Sequence, residues 1–429
     1  MAVSSPLAIV GASARSAAAS AARAGFRPLA ADLFADADLR QIATATRVSS
    51  YPDGLLDWLR AIEPPAWMYT GALENHPELI DQMAWIAPLW GNPGDVLARV
   101  RSPWELARAL GAAGHLFPET RSSPDGLPHD GSWLAKTYRG ASGSGVRAWS
   151  KEQGAGSEEQ GSLTPRSMLA APCFVQQRIA GIPVSAVFVA ADRDATLLGV
   201  TRQLVGEDWL GAHGFQYAGS IGPAMIPDAA HAEIAEIGRV LVAEFELLGL
   251  FGVDMILVGE QVWTLEVNPR YTASVEVLER GTGVAAIALH AAACGWLGSS
   301  AGRLEPRERW LGSSDSEPPE LESAGGSAGP RPQPPMHAVH GKAVLFARRD
   351  VVISETFATA TLAEALRMPW PSLADISAAG TPIEAGRPVL TMFADGATDD
   401  EVERQLRRRA SELERALYAG SGVFNERHD

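Results

Sequence analysis

The chain has 429 residues, of which 46% are hydrophobic and 20% charged, a composition typical of a globular protein with several domains and a large core. Its formal net charge of −15 argues against nucleic acid or an anionic membrane as a partner. It has two cysteines, Cys173 and Cys294, and no apolar run of the ~20 residues that a membrane helix needs, so we expect a cytoplasmic protein with packed, reduced thiols.

The N-terminal segment reads as a strand, a glycine turn, an alanine-rich helix and a second strand. Residues 7–10 and 28–32 are the apolar strands, and residues 15–23 form the helix, with Ser13 as a candidate N-cap. This order of elements predicts a parallel sheet.

The turn between the first strand and the helix resembles a dinucleotide-binding loop only in part. After Gly11 it lacks the second and third glycines that let a pyrophosphate approach the backbone, so we do not expect NAD to bind. Two interpretations stay open for Arg15 and Asp32, which are either substrate contacts or surface helix caps.

Helices and strands continue to alternate up to residue 110. Predicted helices at residues 55–62 and 78–87 flank a strand at 66–71. The run Ser-Pro-Trp-Glu at 102–105 starts a further helix, with serine as the N-cap and proline in the first turn.

A lysine closes the next buried strand. In residues 133–146, Trp-Leu-Ala-Lys leads into a loop of glycine, alanine and serine. A lysine in this position is unusual unless it meets an anion, and glycines let backbone N–H groups turn toward phosphate oxygens. The alternative is a flexible surface turn. The candidate anion-binding residues are Lys136, Gly140, Ser142, Gly143 and Gly145.

Two segments of this region read as loops. Residues 151–166 are polar and low in complexity, which predicts a mobile excursion. Residues 206–222 are rich in glycine and aromatic side chains. This second loop either lines a substrate site or packs on the sheet.

Between these loops the chain reads as a meander of strands. Residues 174–185 form an apolar strand whose polar edge includes Gln176 and Gln177. A further strand at 196–201 ends in Arg202. This arginine either contacts an anion or lies on the surface.

Residues 250–270 predict a β-hairpin around a central glycine turn. Asp254 and Glu266 lie symmetrically about the turn and should face each other, and Asn268 should share the face of Glu266. Such oxygen ligands suit Mg²⁺, which proteins hold through one or two carboxylates together with substrate phosphates. Arg270 follows as a planar cation that can grip a phosphate oxygen. The alternative is a hairpin with solvated acids on its outer face.

The run Glu266-Val-Asn-Pro-Arg270, with a carboxylate twelve residues upstream, resembles the metal-binding signature of the ATP-grasp superfamily. That superfamily includes D-alanine–D-alanine ligase, biotin carboxylase and glutathione synthetase. The longer run up to Glu279 is similar to a branch of predicted ATP-dependent carboligases related to biotin carboxylase. The resemblance implies ATP and Mg²⁺ (or Mn²⁺) as cofactors, with transfer of the γ-phosphoryl group to a carboxylate and attack of an amine on the acylphosphate.

The resemblance also implies a role for each candidate residue. The lysine and the small-residue loop would hold the β- and γ-phosphates, and the strand at 174–185 would be the hinge that contacts adenine and ribose. In that strand Gln177 stands where the family often has an acid, and Arg178 replaces an aromatic residue. The implied metal ligands are Asp254, Glu266 and Asn268; the catalytic cations are Arg270 and Lys136; the nucleotide contacts are Lys136, Gly140, Ser142, Gly143, Gly145, Gln176, Gln177, Ile179 and Arg202.

The implied fold is the α/β (α+β) ATP-grasp fold, built from several parts. A linker is expected where serine, glycine, proline and glutamate dominate, and a small β-sandwich should follow it. The expected parts are a Rossmann-like domain at 1–110, an ATP-grasp domain at 111–297 with a lid subdomain at about 133–178, a flexible linker at 298–335 and a β-rich domain at 336–429.

We therefore expect an ATP-dependent carboxylate–amine ligase with small-molecule substrates. By resemblance, this branch is linked to the attachment of glutamate in one-carbon coenzyme biosynthesis of the tetrahydromethanopterin or methanofuran type. Two alternatives stay open: a carboxylase or kinase-like enzyme on the same fold, and a non-catalytic nucleotide-binding subunit. The intact Lys136, Glu266, Asn268 and Arg270 argue against the last. A homodimer is one option for the oligomeric state.

Overall fold

The computed structural model describes residues 4–150, 173–296, 338–367 and 370–419. Within these ranges the chain folds into three larger sheets and one two-stranded sheet, with helices packed on them. The predicted mobile excursion at 151–166 and the predicted linker at 298–335 lie outside the described residues.

The first sheet is parallel, as the sequence predicts. Its elements are β1 (Pro6–Val10), α1 (Arg15–Arg23), β2 (Arg27–Asp32), α2 (Leu39–Ile42), β3 (Thr44–Arg47), α3 (Gly54–Ile62) and β4 (Trp67–Tyr69). In this part of the described chain the four strands lie in the order β3-β2-β1-β4. Apolar residues of β1 are fully buried between the helices on the two faces of the sheet, which explains why this strand is a continuous apolar run.

The cap of α1 differs from the prediction. The residue at the N-cap position is Ala14, and Ser13 makes no capping hydrogen bond. Instead, the N–H of Ala14 donates to the carboxylate of Asp32 over 2.8 Å, from the end of the neighbouring strand. Asp32 is therefore a buried cap that ties the helix to the sheet, and not a surface cap.

Helices then lead to the second part of the molecule. They are a 3₁₀ turn at Leu73–Asn75, α4 (Pro77–Ala84), α5 (Gly94–Val100) and α6 (Pro103–Ala112). The predicted cap of α6 is confirmed, because the hydroxyl of Ser102 accepts the N–H of Glu105 over 3.4 Å.

The lysine strand lies in a small antiparallel sheet. Its strands are β5 (Thr120–Arg121), β6 (Asp130–Thr137), β7 (Val146–Ser150) and β8 (Cys173–Gln177). In the residues that the structure describes, their order is β5-β8-β6-β7. A small core of Leu127, Trp133, Ala135 and Val175 supports one face. After the loop that follows Lys136, the chain returns directly as β7 and not as a helix.

An eight-stranded antiparallel sheet forms the centre of the described part of the molecule. Its strands are β9 (Ile182–Ala191), β10 (Asp194–Val205), β11 (Tyr217–Gly222), β12 (Gly249–Val258), β13 (Gln261–Asn268), β14 (Val339–Phe346), β16 (Leu373–Ala374) and β18 (Pro388–Gly396). Over the described ranges their order is β13-β12-β9-β10-β11-β14-β18-β16. The predicted loop at 206–222 therefore ends in a strand. The pair β15 (Val351–Val352) and β17 (Pro382–Ile383) stands apart.

Helices cover both faces of the central sheet. They are α7 (Asp228–Phe245), α8 (Ala273–Thr282), α9 (Ala286–Ala293), α10 (Glu355–Ala365) and α11 (Asp399–Ala419). One face packs against α7 through a core that includes Phe188 and Phe251, whose rings stack 4.9 Å apart. The other face packs against α8, α9 and α1. His290 in α9 is a core histidine whose Nδ1 accepts the N–H of Leu250 over 2.9 Å.

The C-terminal strands extend the central sheet. Strand β14 pairs with β11, and β18 and β16 follow it. The expected separate β-sandwich is thus replaced by an extension of the sheet that carries the hairpin, while the domain boundaries themselves stay predictions. In the described ranges, no helix combines the length and the apolar character that crossing a membrane requires.

Candidate active site

The hairpin predicted at residues 250–270 is confirmed as β12 and β13. The two strands are joined by the Gly259-Glu260 turn, in which Gly259 adopts a positive φ of 62°. Asp254 is paired directly with Glu266 across the hairpin. Because paired residues in an antiparallel ladder point to the same face, the two carboxylates lie side by side.

The electrostatics of this pair are unfavourable unless a cation is present. Burial and the neighbouring charge of Glu266 raise the pKa of Asp254 to about 7. No group of three or more His, Cys, Asp or Glu side chains with metal-site geometry occurs in the described part of the chain. A metal site here would consist of two carboxylates and the amide oxygen of an asparagine, a donor set that suits a hard divalent cation bound together with phosphate.

Two amides hold Asp254 in place. The Nε2 of Gln203 donates to its Oδ1 over 3.0 Å, and the Nδ2 of Asn268 donates to its Oδ2 over 3.0 Å. The Oδ1 of Asn268 in turn accepts from Arg270 over 3.1 Å. Asn268 is thus beside the carboxylates as predicted, but it would have to turn its oxygen from Arg270 to ligate a metal, so its ligand role stays a prediction.

Arg270 reaches from the hairpin to the N-terminal segment. Its Nε donates to the Oε1 of Glu74 over 2.7 Å, and the flat side of the guanidinium lies over Gly71, where an added Cβ would be 3.5 Å away. Glu74 is buried, and its Oε2 has no hydrogen-bond partner among the described residues. Arg101 donates to the Glu74 carbonyl over 2.7 Å. These contacts form a rigid polar corner beside the carboxylate pair.

Lys136 points toward the same place from the small sheet. Burial lowers the pKa of this lysine, and the nearby Glu266 and Asp254 carboxylates oppose the effect. Its Nζ donates to the Oε1 of Gln176 over 2.6 Å. The structure thus brings together the lysine, the carboxylate pair and Arg270.

Gln176 contacts the lysine directly, and its nucleotide contact stays a prediction. It was expected near adenine, but its side chain is buried between Lys136 and Thr120, and donates to the hydroxyl of Thr120 over 3.2 Å. Its backbone is also committed, because β8 pairs with β5 on one side and β6 on the other. Gln176 therefore orients the lysine.

The glycine loop after Lys136 is tightly packed. An added Cβ at Gly145 would lie 2.1 Å from the Thr137 hydroxyl, and one at Gly143 would lie 1.8 Å from the Phe215 carbonyl oxygen. Ser142 has a positive φ of 52°, and its carbonyl accepts the N–H of Tyr217 over 3.1 Å. The carbonyl of Gly140 accepts from Asn75 over 3.5 Å. Phosphate binding by this loop stays a prediction.

Arg202 is directed to the face of β10 opposite to Asp254, and its expected phosphate contact stays a prediction. Side chains alternate along β10, and Gln203 takes the face of Asp254. Arg202 instead pairs with Glu403 of α11 over 2.8 Å. Gln177 is exposed at the end of β8, and Ile179 is half-buried in the connection to β9. Their nucleotide contacts stay predictions.

Gln203 and Glu74 also belong to the site and were not predicted from the sequence. Gln203 is displaced by a register shift in β10 between Leu197 and Gly199, which a sequence pattern does not reveal. Glu74 carries a weak signal, as an acid that directly follows a buried strand and a Thr-Gly turn.

Comparison with known proteins agrees with this geometry. A family model described as an ATP-grasp domain matches residues 100–274. The chain is 27% identical over 267 residues to the formate-dependent phosphoribosylglycinamide formyltransferase of Stenotrophomonas maltophilia, covering 58% of this chain. The matches span 10% to 64% of the length of the curated relatives.

Solved structures resemble nearly the whole chain. Carboxyaminoimidazole ribonucleotide synthase from Aspergillus clavatus, complexed with ATP, has a TM-score of 0.64 at 14% identity, covering 96% of this chain and 99% of that one. The L-amino acid ligase from Bacillus licheniformis has a TM-score of 0.63 at 13% identity, covering 96% and 98%. At such identities the likeness concerns the fold. The predicted resemblance to the ATP-grasp superfamily is thus confirmed by the family model over residues 100–274 and by the fold of the similar structures.

Proposed function

We propose that the protein is an ATP-dependent ligase that joins a small-molecule carboxylate to an amine through an acylphosphate. The observation that carries the proposal is the convergence of a cross-strand carboxylate pair with two cations from different segments. Asp254 is paired with Glu266, Lys136 approaches from the small sheet, and Arg270 closes the corner. This combination suits a polyphosphate with a divalent cation on one side and a second anionic substrate on the other.

The residues fit Mg²⁺, or Mn²⁺, in its usual role beside nucleotide phosphates. Asp254 and Glu266 would hold the ion, with Asn268 as a third oxygen ligand. Burial and the charge of Glu266 raise the pKa of Asp254, so ionisation of this carboxyl is unfavourable in the folded protein. A bound cation would favour the ionised form. When bound, such an ion neutralises charge on the phosphates during transfer.

The chemistry would proceed in two steps. A substrate carboxylate oxygen attacks the γ-phosphorus of ATP, the bond to the β–γ bridging oxygen breaks, and ADP leaves. An amine then attacks the carbonyl carbon of the acylphosphate, releases inorganic phosphate and loses a proton. Lys136 would hold the phosphates, and Arg270 would stabilise charge on the acylphosphate, with Glu74 fixing the direction of its guanidinium.

The proposed substrate class rests on the similar proteins. One relative is described as a formate-dependent formyltransferase, and one structural neighbour as an L-amino acid ligase. Both names are compatible with a carboxylate partner. Attachment of glutamate or a similar amino acid in one-carbon coenzyme biosynthesis is the finer proposal. Carboxylation, with bicarbonate as the carboxylate, is the alternative on the same scaffold.

The test is ATP-to-ADP conversion with a panel of carboxylates, including formate, bicarbonate and amino acids, each with and without an amine. We expect one combination to stimulate ADP release, and Lys136→Ala to abolish it. Arg139→Ala, which removes an exposed cation three residues away, is the matched control and should retain turnover. Mg-ATP should also raise the thermal midpoint of the wild type and not that of Lys136→Ala, because ligand binding stabilises the folded state by mass action.

A thermal midpoint that Mg-ATP leaves unchanged at millimolar concentration would contradict nucleotide binding itself. ADP release that no carboxylate stimulates, in a protein that binds Mg-ATP, would favour the non-catalytic alternative.

A further inference from the structure

A buried network of charged side chains joins three segments of the chain next to the proposed site. Arg15 in α1 donates from Nη2 to the Oε2 of Glu276 in α8 over 2.9 Å, and from Nε to the Oδ1 of Asp375 over 2.9 Å. Lys342 in β14 donates from Nζ to the same Glu276 Oε2 over 2.8 Å. Glu276 thus receives one cation from the N-terminal segment and one from the C-terminal segment.

The charges in this network are strongly coupled. Burial alone would raise the pKa of Glu276, but Arg15 and Lys342 outweigh it and hold the pKa well below its usual range. Buried ion pairs generally add little net stability, because desolvation offsets their attraction. A network of this kind therefore calls for a role other than stabilisation, such as fixing a geometry.

The network is close to Arg270 along the chain. Helix α8 begins at Ala273, so Glu276 is in its first turn, and only two residues separate Arg270 from the helix. The residue after Arg270 is tied in the same way, because the hydroxyls of Tyr271 and Ser16 are 3.1 Å apart. Ser16 also donates to Glu276 over 3.0 Å. The direction in which Arg270 leaves the hairpin is thus set by contacts to other segments.

The first turn of α8 is also tied to the central sheet. The hydroxyl of Ser274 lies 3.0 Å from that of Thr201 in β10 and 3.3 Å from that of Ser220 in β11. Ser220 is paired with Lys342 in the next strand. Lys342 in β14 is therefore linked to the first turn of α8 in two ways. Its side chain contacts Glu276, and its strand neighbour Ser220 contacts Ser274.

We propose that Arg15 and Lys342 are positioning residues for the acylphosphate chemistry, acting through Glu276 to hold Arg270 in place. The C-terminal segment is then required for the reaction through the Lys342–Glu276 contact. This inference rests on the role proposed above for Arg270.

The same helix offers a matched control. One turn further along α8, Glu279 pairs with Arg23 and accepts from the Ser20 hydroxyl. That pair is also buried on the glutamate side and also ties α8 to α1. It lies one turn farther along α8 from Arg270 and, among the described residues, receives no cation from the C-terminal segment, although the Arg23 guanidinium lies 4.2 Å from the centre of the Trp370 ring of that segment. Arg23→Met therefore removes a comparable tie without touching the first turn.

The experiment compares Lys342→Met, Lys342→Arg and Arg23→Met in the full chain. The activity probe is ATP formation from Mg-ADP and carbamoyl phosphate, in which the bond between phosphorus and the carbamoyl oxygen breaks, a bond to the ADP β-phosphate oxygen forms, and carbamate leaves. The second readout is amide hydrogen exchange of residues 268–275. Mg-ADP affinity is measured for each variant.

We expect Lys342→Met to lower the rate of ATP formation by about tenfold to a hundredfold at unchanged Mg-ADP affinity, because small misplacements of a catalytic group have effects of that size. Exchange at 268–275 should rise, and Lys342→Arg should recover both properties in part. Arg23→Met should lower the thermal midpoint while keeping the rate within about twofold, because an ion pair outside the first turn of α8 should act mainly on stability. If Lys342→Met does not fold, Glu276→Gln, which keeps the shape of the side chain, takes its place.

Equal losses of rate in Lys342→Met and Arg23→Met, or unchanged exchange at 268–275 in Lys342→Met, would overturn the inference. A wild-type protein that binds Mg-ADP but makes no ATP would instead contradict the proposed phosphoryl transfer, and the exchange comparison would still decide whether Lys342 positions the Arg270 segment.

Discussion

Asp254 and Glu266 are a cross-strand pair of carboxylates in which Glu266 makes ionisation of the buried Asp254 more costly. Burial and the charge of Glu266 together raise the pKa of Asp254 to about 7. Glu266 itself is exposed, so little packing depends on it. The pair is therefore expected to contribute to cation and phosphate binding and not to the stability of the fold.

Glu266→Gln should consequently abolish metal-dependent ATP turnover and change the free energy of unfolding by no more than about 0.5 kcal/mol. The substitution keeps the size of the side chain and removes the charge that a divalent cation needs. Urea denaturation and ATP-to-ADP conversion are the measurements. Glu260→Gln, at the exposed turn of the same hairpin, is the control and should be active. Turnover at the wild-type rate in Glu266→Gln would overturn the metal assignment.

Asp36 gives a second prediction, on pH. Burial and the nearby Asp375, Asp38 and Asp32 carboxylates raise the pKa of Asp36 to about 8, while Arg15 opposes the shift. The folded state thus keeps a proton that an unfolded aspartate loses near pH ~4. Stability contributed by this group should fall as the pH rises from about 4 to about 8 and then level off.

Asp36→Asn should remove that fall, because an amide does not ionise. Above pH 8 the variant should be more stable than the wild type by at least about 1.4 kcal/mol, the equivalent of one pKa unit. Urea midpoints from pH 5 to pH 9 measure the effect, with Asp57→Asn on the exposed side of α3 as the control. A variant whose stability follows the wild-type pH curve would show that Asp36 ionises normally.

At the residue scale, the sequence predicted the side-chain positions that depend on neighbouring residues in the chain. Asp254 and Glu266 flank a two-residue turn, so the turn sets their register. The face of β10 on which Arg202 lies depends on the register shift within that strand, which the sequence does not show. Glu74 and Glu276 meet their partners Arg270 and Arg15 across the fold, and no local pattern encodes such contacts.

The glycine loop after Lys136 combines a positive backbone φ with close packing against the segment that precedes β11. Gly143 has a φ of 77°, and an added Cβ would lie 1.8 Å from the Phe215 carbonyl oxygen. The segment at 215–217 that it meets leads directly into β11. The loop is thus docked against the central sheet, although the sequence alone suggested either a phosphate-binding loop or a flexible turn.

Gly143→Ala should therefore force the loop away from Phe215 and weaken Mg-ATP binding. Gly114→Ala is the matched control, since Gly114 has a similar φ of 83° but open space where the Cβ would lie. Both variants should lose about 1 kcal/mol of stability from the unfavourable φ. Only Gly143→Ala should also lose Mg-ATP affinity, measured by calorimetry. Equal affinity in the two variants would separate the loop from nucleotide binding.

Most elements were predictable, for physical reasons. The hydrophobic periods of β1, α1 and the hairpin are strong, and the hairpin turn carries the usual glycine at positive φ. Strand β11 was assigned to a loop because Tyr217–Gly222 contains two glycines and a serine. Its strand conformation comes from pairing with β10 and β14, which is a tertiary effect.

At the scale of the whole molecule, the C-terminal segment completes the sheet that carries the proposed site. One core cluster contains residues from β10 and β11 together with residues of β14, β18 and α11. The charged network of Arg15, Glu276 and Lys342 crosses the same junction. The sequence suggested a detached final domain because a long polar stretch precedes it, and sequence composition does not report strand pairing.

These contacts predict that the parts of the chain before and after residues 298–335 stay associated when the chain is cut within that segment. A protease site inserted within residues 298–335 would divide the protein into fragments that share the pairing of β11 with β14. Because separation would expose a sheet edge and the apolar cluster of that junction, the fragments should co-elute in size-exclusion chromatography. They should separate in urea, which serves as the control for complete cleavage. The N-terminal fragment expressed alone should be insoluble for the same reason. Fragments that separate in native buffer would show that the C-terminal segment folds independently, and the role inferred for Lys342 would then lose its structural basis.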